Sequence, residues 1–332
     1  MNLVVYEHIT SGALCDELLP ESLAHEGEMM LHAIVQDLLR LSHIHITILQ
    51  DTRLTPPEWL TNTQRITIRS CANRQEFEHQ WHTCIREHQF FLLIAPETDN
   101  TLVSLQQQVS DASKTYLGCT AEATMVCSDK LRSYHQLQAA NIPTPTSFSA
   151  NNALLDQCLM NQSYIVKPQD GAGCLDTFKF DSLEQTRAYL FSLPQKRRDK
   201  LIVQPYIEGA ILSISIYVDE ENIQLLSINE QLIEQQAQQF VFHECVTNSD
   251  ATQQFSQQQA MQLANQIHQS IAGLSGYVGI DFILSNQGPV VVDINPRLTT
   301  AYVNLSATGL HNPALPLWQH LQRLDQQEAQ YA

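Results

Sequence analysis

The segment VVDINPR, residues 291–297, places three different polar side chains after a run of valines. Asp293, Asn295 and Arg297 occupy alternate positions, and alternate side chains of a β-strand point to the same face. A carboxylate, an amide and a guanidinium would therefore share one side of a strand. Such a set can bind a cation through its oxygens and an anion through its guanidinium.

A second carboxylate is predicted to join this face from the preceding strand. The segments GYVGIDFIL and VVVDIN flank a turn at 285–289 and predict a β-hairpin in which Leu284 faces Val290 and Asp281 faces Asp293. Directly opposed carboxylates repel each other, and one pKa rises unless a cation lies between them. Mg²⁺ (or Mn²⁺) fits, because it prefers oxygen ligands and often retains substrate phosphates. The ordinary alternative, a buried acid bonded to backbone amides with the arginine in a plain ion pair, stays open.

Two lysines are candidates for binding phosphate. Lys167 ends the apolar strand YIVK and precedes the loop QDGAG, whose glycines let backbone amides approach an anion. Lys130 lies in the first turn of a predicted helix that Ser128 caps and that ends near Asn141. Taken alone, a turn and a helix with solvated lysines explain both segments better.

The segment VQPYIEG, residues 203–209, interrupts two apolar strands. Pro205 cannot donate a ladder hydrogen bond, so neighbouring backbone groups could recognise the edge of an adenine. A plain strand crossover is the simpler explanation of this segment by itself.

The elements around these residues alternate between strands and helices. Strands NLVVYE, IHITILQD and FFLLIAPE, with a helix over 21–41, predict a parallel α/β unit in roughly the first 110 residues. A long amphipathic helix is predicted over 256–274. The glutamine-rich segments 231–240 and 253–266 are interpreted as solvated helix faces and loops.

Composition excludes several classes of partner. The 332 residues include 18 basic and 35 acidic side chains, a net charge of -17 that would repel nucleic acid. No apolar run reaches membrane-spanning length and the N-terminus lacks a signal-peptide pattern, so no membrane partner is expected. The eight cysteines form no close C-x-x-C pair, which is typical of free thiols in the cytoplasm.

Taken in order along the chain, these motifs resemble the ATP-grasp superfamily. The resemblance rests on Lys130 before its helix, the IPTP break, Lys167 with DGAGC, the VQPYIEG hinge and the DINPR segment, over about 113–305. The ending VVDINPRLTTAYVNLS and the opening VVYEHITSGAL resemble the tyramine–glutamate ligase family, which contributes to methanofuran-type cofactors in one-carbon metabolism.

This resemblance implies an α/β architecture: an ATP-grasp fold of two α+β subdomains gripping ATP, preceded by a parallel α/β N-terminal domain. The expected domains are 1–112, then a small ATP-grasp subdomain at 113–193, then a C-terminal subdomain with the metal site at 194–332. The resemblance also allows a homodimer.

The resemblance assigns roles to single residues. Lys130 and Lys167 would contact the phosphates of ATP, and Arg297 would hold the transferred phosphoryl group or the substrate carboxylate. The metal ion would be held by Asp281, Asp293 and Asn295. The mobile loop would comprise Gly171, Ala172 and Gly173, and the adenine and ribose site Gln204, Pro205, Tyr206, Ile207 and Glu208.

Two positions depart from the family pattern. Many relatives carry an acid where this chain has Gln204, and a ribose-binding glutamate where it has Ile211. Glu208 is the candidate replacement, from a shifted position.

The expected reaction is phosphorylation of a carboxylate by ATP, followed by attack of an amine to form an amide, with Lys167 and Arg297 as catalytic residues. Glutamate and tyramine, or a similar amine, are the expected substrates. The alternatives are another ATP-grasp amino-acid ligase, a small-molecule carboxylate kinase and an ATP-binding sensor without chemistry.

The acid and amine sites are expected between the N-terminal domain and the ATP-grasp part. The loop after the first strand lies where open α/β sheets bind ligands. For Tyr302, core packing is as good an explanation as substrate contact. The candidate substrate residues are Glu7, His8, Ser11, Gly12, Thr299, Thr300 and Tyr302.

Overall fold

A computed structural model describes residues 1–41, 44–61, 63–151, 162–171, 174–219, 222–247, 249–309 and 311–331. Within these residues, no helix is long and apolar enough to cross a membrane.

The N-terminal part is a five-stranded parallel sheet in the order β3-β2-β1-β4-β5, as the α/β pattern predicts. Chain order reverses between β1 and β4, so the crevice at the carboxyl ends of these two strands is the topological switch point. The elements are β1 (Asn2–Glu7), α1 (Glu21–Leu41), β2 (His45–Asp51), α2 (Glu58–Thr61), β3 (Ile66–Cys71), α3 (Arg74–Glu87), β4 (Phe90–Ile94), α4 (Thr101–Asp111) and β5 (Thr115–Tyr116).

The rest of the chain forms a nine-stranded antiparallel sheet in the order β14-β13-β10-β11-β12-β8-β7-β9-β6. Its strands are β6 (Phe148–Ser149), β7 (Tyr164–Pro168), β8 (Phe178–Phe180), β9 (Leu201–Pro205), β10 (Ala210–Val218), β11 (Ile223–Gln236), β12 (Gln239–Thr247), β13 (Gly276–Ser285) and β14 (Gly288–Asn295). Its helices are α5 (Ala121–Ser128), α6 (Lys130–Ala139), α7 (Leu183–Ser192), α8 (Gln195–Arg198), α9 (Gln257–Ser270), α10 (Ala301–Thr308) and α11 (Leu315–Tyr331).

This second sheet consists of two halves with separate cores. Strands β10, β11, β13 and β14 pack against α9, whereas β7, β8 and β9 pack with α7. The two halves meet where β12 pairs with β8, through Gln239 and Phe178. The predicted limit at 193 lies before β9, although β9 pairs with β7 in the smaller half. The two α+β halves are therefore joined within the sheet by this short contact between β12 and β8.

Two local predictions are wrong. Residues 231–240 are not a solvated helix face or loop: they end β11, turn, and begin β12. Helix α6 is capped by Asp129, whose side chain accepts hydrogen bonds from the backbone of Leu131 and Arg132, because Ser128 belongs to the preceding α5. In both cases neighbouring structure outweighs local residue preference.

Candidate active site

The two predicted metal carboxylates face each other across the β13–β14 hairpin, with Asp281 opposite Asp293. Asn295 donates its amide to Oδ2 of Asp281 at 3.1 Å, and Gln231 from β11 donates to Oδ1 at 2.7 Å. Burial, and then the charge of Asp293, raise the pKa of Asp281 to about 7. A raised pKa of this kind is typical of two carboxylates that share a buried site.

The turn and the strand pairing of this hairpin differ from the prediction, although Asp281 and Asp293 are opposite each other as predicted. A five-residue turn at 285–289 with Leu284 opposite Val290 is wrong, because Leu284 pairs with Pro289 and the turn is shorter. A shift in register then leaves Val292 without a partner in the ladder, which restores the opposition of the aspartates. One extra residue on one strand is a β-bulge, a common feature next to active sites.

Both predicted phosphate lysines point into this site. Nζ of Lys130 lies 3.0 Å from Oδ2 of Asp293 and also donates to the carbonyl of Gly171. Nζ of Lys167 donates to the carbonyl of the bulged Val292 at 3.3 Å. Burial and the adjacent Lys130 lower the pKa of Lys167 to about 8. Two buried ammonium groups that repel each other can be stabilised by an anion, as polyphosphate would provide.

The start of α6 fixes Lys130 against the glycine loop. The backbone N–H of Lys130 donates to the carbonyl of Gln169 at 3.0 Å, and the Gln169 amide donates to Asp129 at 2.8 Å. The predicted mobile loop is described at Gly171, whereas Ala172 and Gly173 lie outside the described residues.

The predicted adenine hinge connects β9 to β10. Gln204 is buried and donates its amide to the hydroxyl of Ser147 at 2.7 Å. The N–H of Tyr206 donates to the carbonyl of Ser163 at 2.8 Å, so Pro205 does not leave this donor free. Further along the hinge, Ile207 is half-buried, and Glu208, the ribose candidate, is exposed.

Arg297 meets a residue that the sequence pattern does not identify. Its Nε lies 2.9 Å from Oε1 of Glu97, which follows β4 of the N-terminal sheet. Glu97 is buried, and the Arg297 side chain is 14% exposed. Burial alone would lower the pKa of Arg297, but Glu97 outweighs it and raises the pKa, so the guanidinium stays charged. Another guanidinium nitrogen donates to the carbonyl of Leu298 at 3.2 Å.

The loop after β1 is largely bonded to itself. Glu7 accepts hydrogen bonds from the backbone N–H of Ile9 at 3.1 Å and Thr10 at 2.7 Å. The hydroxyl of Ser11 donates to the carbonyl of His8 at 2.9 Å. These contacts give Glu7 and Ser11 a role in shaping the loop, and their contact with a substrate stays a prediction.

Two other residues of this loop are closely packed. His8 lies 3.0 Å from the Tyr6 hydroxyl, and burial followed by the charge of Arg74 lowers its pKa to about 4. Gly12 has a φ of +94°, and a Cβ there would lie 2.6 Å from Cβ of Cys71. A larger residue at position 12 would be strained and would clash.

The three candidates after the metal strand occupy different environments. Tyr302 is in the core, and its hydroxyl donates to Asp37 of α1 at 3.1 Å. Thr300 precedes α10 without a side-chain capping bond. Thr299 packs over Gly279, where a Cβ would lie 2.8 Å from the threonine methyl group. Tyr302 packs in the core, and its contact with a substrate stays a prediction.

The residues present fit a divalent cation and a polyphosphate. No group of three or more His, Cys, Asp or Glu is arranged to hold a metal within the described ranges. The candidate set is therefore two carboxylates and one amide, which suits Mg²⁺ because phosphates and water complete its shell. The raised pKa of Asp281 and the paired lysines show where a cation and an anion would relieve repulsion.

Sequence reasoning missed Gln231 and Glu97. Gln231 lies in a glutamine-rich segment whose strand character was not predicted, so no signal marked it. Glu97 ends the segment FFLLIAPE, and its place after a buried parallel strand could have identified it.

Comparisons with known proteins agree with this geometry. Residues 127–301 match the model of the ATP-grasp domain, and residues 44–124 match the pre ATP-grasp 3 domain. A tyramine–L-glutamate ligase from Methanocaldococcus jannaschii is 24% identical over 305 residues, which cover 91% of this chain and 84% of that relative.

Two solved structures share the fold. An ATP-grasp superfamily protein from Archaeoglobus fulgidus superposes with a TM-score of 0.69 and 25% identity, covering 95% of this chain and 87% of that one. A D-alanine–D-alanine ligase from Bacillus anthracis, solved with ATP, superposes with a TM-score of 0.61 and 16% identity, covering 99% of each chain.

Proposed function

The chain belongs to the ATP-grasp family and is a C–N bond-forming ligase, and from that premise we propose that it joins glutamate to tyramine, or to a closely similar amine, through an acyl phosphate. The γ-phosphoryl group of ATP passes to the substrate carboxylate, the amine nitrogen attacks the acyl carbon, and phosphate leaves as the amide forms. We place this reaction in methanofuran-type cofactor biosynthesis.

One observation carries the proposal: two lysines and two aspartates converge at the end of one hairpin. Lys130 contacts Asp293, and Lys167 binds the carbonyl beside it. Phosphoryl transfer needs positioning and charge neutralisation more than covalent help from the protein. A site with two cations for phosphate and two carboxylates for Mg²⁺ meets that need.

The metal, when bound, would neutralise charge on the transferred phosphoryl group. Asp281, Asp293 and Asn295 would hold it, and Lys130 and Lys167 would orient the phosphates. Arg297 lies two residues beyond Asn295, where its buried guanidinium can hold the acid or its phosphoryl group.

The choice of glutamate and tyramine is supported by the curated relatives, which span most of this chain. The same relatives support a carboxylic acid as phosphoryl acceptor and a primary amine as nucleophile.

The test measures ADP release with ATP and Mg²⁺ in the presence of glutamate alone, tyramine alone and both, with mass spectrometry of each mixture. ADP and a new glutamyl–tyramine amide only with both substrates is the expected result. ADP with glutamate but no amide would favour a carboxylate kinase. No ADP under any condition would contradict the proposed substrates, and binding of ATP without turnover would then favour a sensor.

A further inference from the structure

Glu97 is a buried carboxylate whose hydrogen bonding is incomplete. It is 5% exposed, and among the described residues neither Oε1 nor Oε2 receives an aligned hydrogen bond. Nε of Arg297 approaches Oε1 to 2.9 Å, but it also lacks an aligned bond, so the contact is an ion pair without hydrogen-bond geometry. Buried carboxylate oxygens without donors are costly, and an oxygen left in this state is available to a ligand.

The position of Glu97 is a ligand-binding position of the fold. It follows β4, and the N–H of His8, after β1, donates to the carbonyl of Ile94 at 2.9 Å. Glu97 therefore lies beside the switch point between β1 and β4, where open parallel sheets bind ligands. Arg297 reaches the same point from the strand that carries the metal residues.

The local charges leave negative charge uncompensated. Arg297 interacts with Glu97 and also, electrostatically, with Glu26 of α1. Burial raises the pKa of Glu26, while Arg297 opposes that rise. Glu7 is nearby, but its oxygens are bonded to its own loop amides. One guanidinium thus serves two carboxylates, and no other cation forms an ion pair with Glu97 or Glu26 within the part of the chain that the structure describes.

We propose that Glu97 is a specificity-determining residue that binds the ammonium group of a primary amine substrate. The inference rests on the proposed ligase function. Without substrates, Arg297 compensates Glu97; with them, Arg297 turns to the acid or its phosphoryl group, and the ammonium takes its place at Glu97. The acid and the amine would then meet where the N-terminal sheet faces the metal strand. The bound ammonium gives one proton to the Glu97 carboxylate, and its neutral nitrogen then attacks the acyl carbon as phosphate leaves.

The test compares two nucleophiles on the same acyl phosphate. Hydroxylamine is uncharged at neutral pH and traps an acyl phosphate as a hydroxamate, whereas tyramine must be recognised as an ammonium ion. Wild type, Glu97→Gln and Glu97→Asp are assayed with ATP, Mg²⁺ and glutamate, and with either nucleophile. Asp219→Asn is the matched control, because Asp219 is also a buried carboxylate paired with an arginine, Arg323, at 2.6 Å.

We expect Glu97→Gln to lower kcat/KM for tyramine by about 10- to 100-fold, the loss typical of one bond to a charged group, and to leave hydroxamate formation close to wild type. Glu97→Asp keeps the charge and should fall in between. The control should leave the ratio of amide to hydroxamate unchanged. Thermal unfolding of each variant separates these effects from loss of the fold.

An equal fall in amide and hydroxamate in Glu97→Gln would overturn the inference, because Glu97 would then only support Arg297. A full tyramine rate in that variant would also overturn it. Absence of hydroxamate in wild type would instead refute glutamate as the acid, and with it the proposed function on which the inference rests. If Glu97→Gln does not fold, a fall in tyramine kcat/KM with unchanged hydroxamate formation in Glu97→Asp supports the inference, and an equal fall in both products there overturns it.

Discussion

Two carboxylate sites of this molecule differ in how their oxygens are satisfied. At the end of the β13–β14 hairpin, Asp281 accepts hydrogen bonds from two amides and Asp293 contacts Lys130. At the junction of the two sheets, Glu97 meets Arg297, and its oxygens receive no aligned bond from the described residues. The hairpin carboxylates have hydrogen-bond and ion-pair partners within the chain, whereas Glu97 has only the ion pair with Arg297 among the described residues.

The two sites also differ in the sequence separation of the residues that form them. The two aspartates of the hairpin site lie on strands adjacent in sequence, so their opposition follows from one register. The junction site needs the N-terminal sheet to pack against the segment after β14, and the Tyr302 hydroxyl bonded to Asp37 helps to fix that packing. We therefore expect substitutions at the hairpin to abolish chemistry and those at the junction to change which substrates are used.

The largest effect is expected for Asp293→Asn. This change removes a metal carboxylate and the partner of Lys130, so turnover should fall by about 10³-fold or more. ADP release at saturating Mg²⁺ and ATP measures it, and thermal unfolding should remain cooperative. Asp250→Asn, at an exposed position, is the control. A rate within tenfold of wild type would show that Asp293 does not hold the metal.

Arg297→Lys is expected to have the next largest effect. Lysine keeps the charge but cannot offer the fork of donors with which arginine reaches Glu97 and the Leu298 carbonyl together. Glutamate-dependent ADP release should fall by about 100-fold. The matched control is Arg323→Lys, since Arg323 also pairs with a buried carboxylate, Asp219. Equal losses in the two variants would assign Arg297 to stability rather than to substrate binding.

The hairpin could be predicted from sequence because alternation and turn residues fix strand pairing locally. Even so, Asp281 and Asp293 are opposite each other because of the bulge at Val292, and the sequence contains no pattern that predicts this bulge. The fold class followed from alternating strands and helices and from motif order. The parallel sheet needed only buried strands separated by helices.

Gln231 and Glu97 could not be predicted in the same way. Gln231 lies in a glutamine-rich strand, and glutamine has no preference strong enough to show that the segment pairs with β12. Its contact with Asp281 exists because β10 brings β11 and β13 into one sheet. The pair of Glu97 and Arg297 depends on packing between distant parts of the chain, which periodicity does not encode.

Gln231→Ala tests the hairpin site by removing one of the two amides that donate hydrogen bonds to Asp281. Asp281 would lose its donor on Oδ1, and loss of such an outer partner weakens metal binding by about 10- to 100-fold. We expect a higher half-saturating Mg²⁺ concentration with kcat largely retained at saturation. Gln235→Ala on the same strand is the control, since Gln235 is exposed and bonds to its own turn. An unchanged Mg²⁺ response would leave Gln231 without a role in orienting Asp281.

The smallest effect concerns stability without metal and tests whether the hairpin aspartates repel. The pKa of Asp281 is about 7 in the fold, above the roughly 3.9 of an unfolded aspartate. The folded state therefore binds this proton more tightly, so the stability that it contributes is complete below about pH 4 and is lost as pH rises through about 7. In EDTA, Asp281→Asn should be more stable than wild type at pH 8 by about 1–2 kcal/mol, and this gain should shrink towards pH 5.

His8, whose pKa is lowered to about 4, has the opposite trend, but its contribution cancels in the difference between the two proteins. Urea unfolding across pH 5 to 8 measures the difference, and Mg²⁺ should stabilise wild type more than the variant. A difference that stays constant with pH would mean that the amides of Gln231 and Asn295 already offset the repulsion, and the two carboxylate sites would then differ less than their contacts suggest.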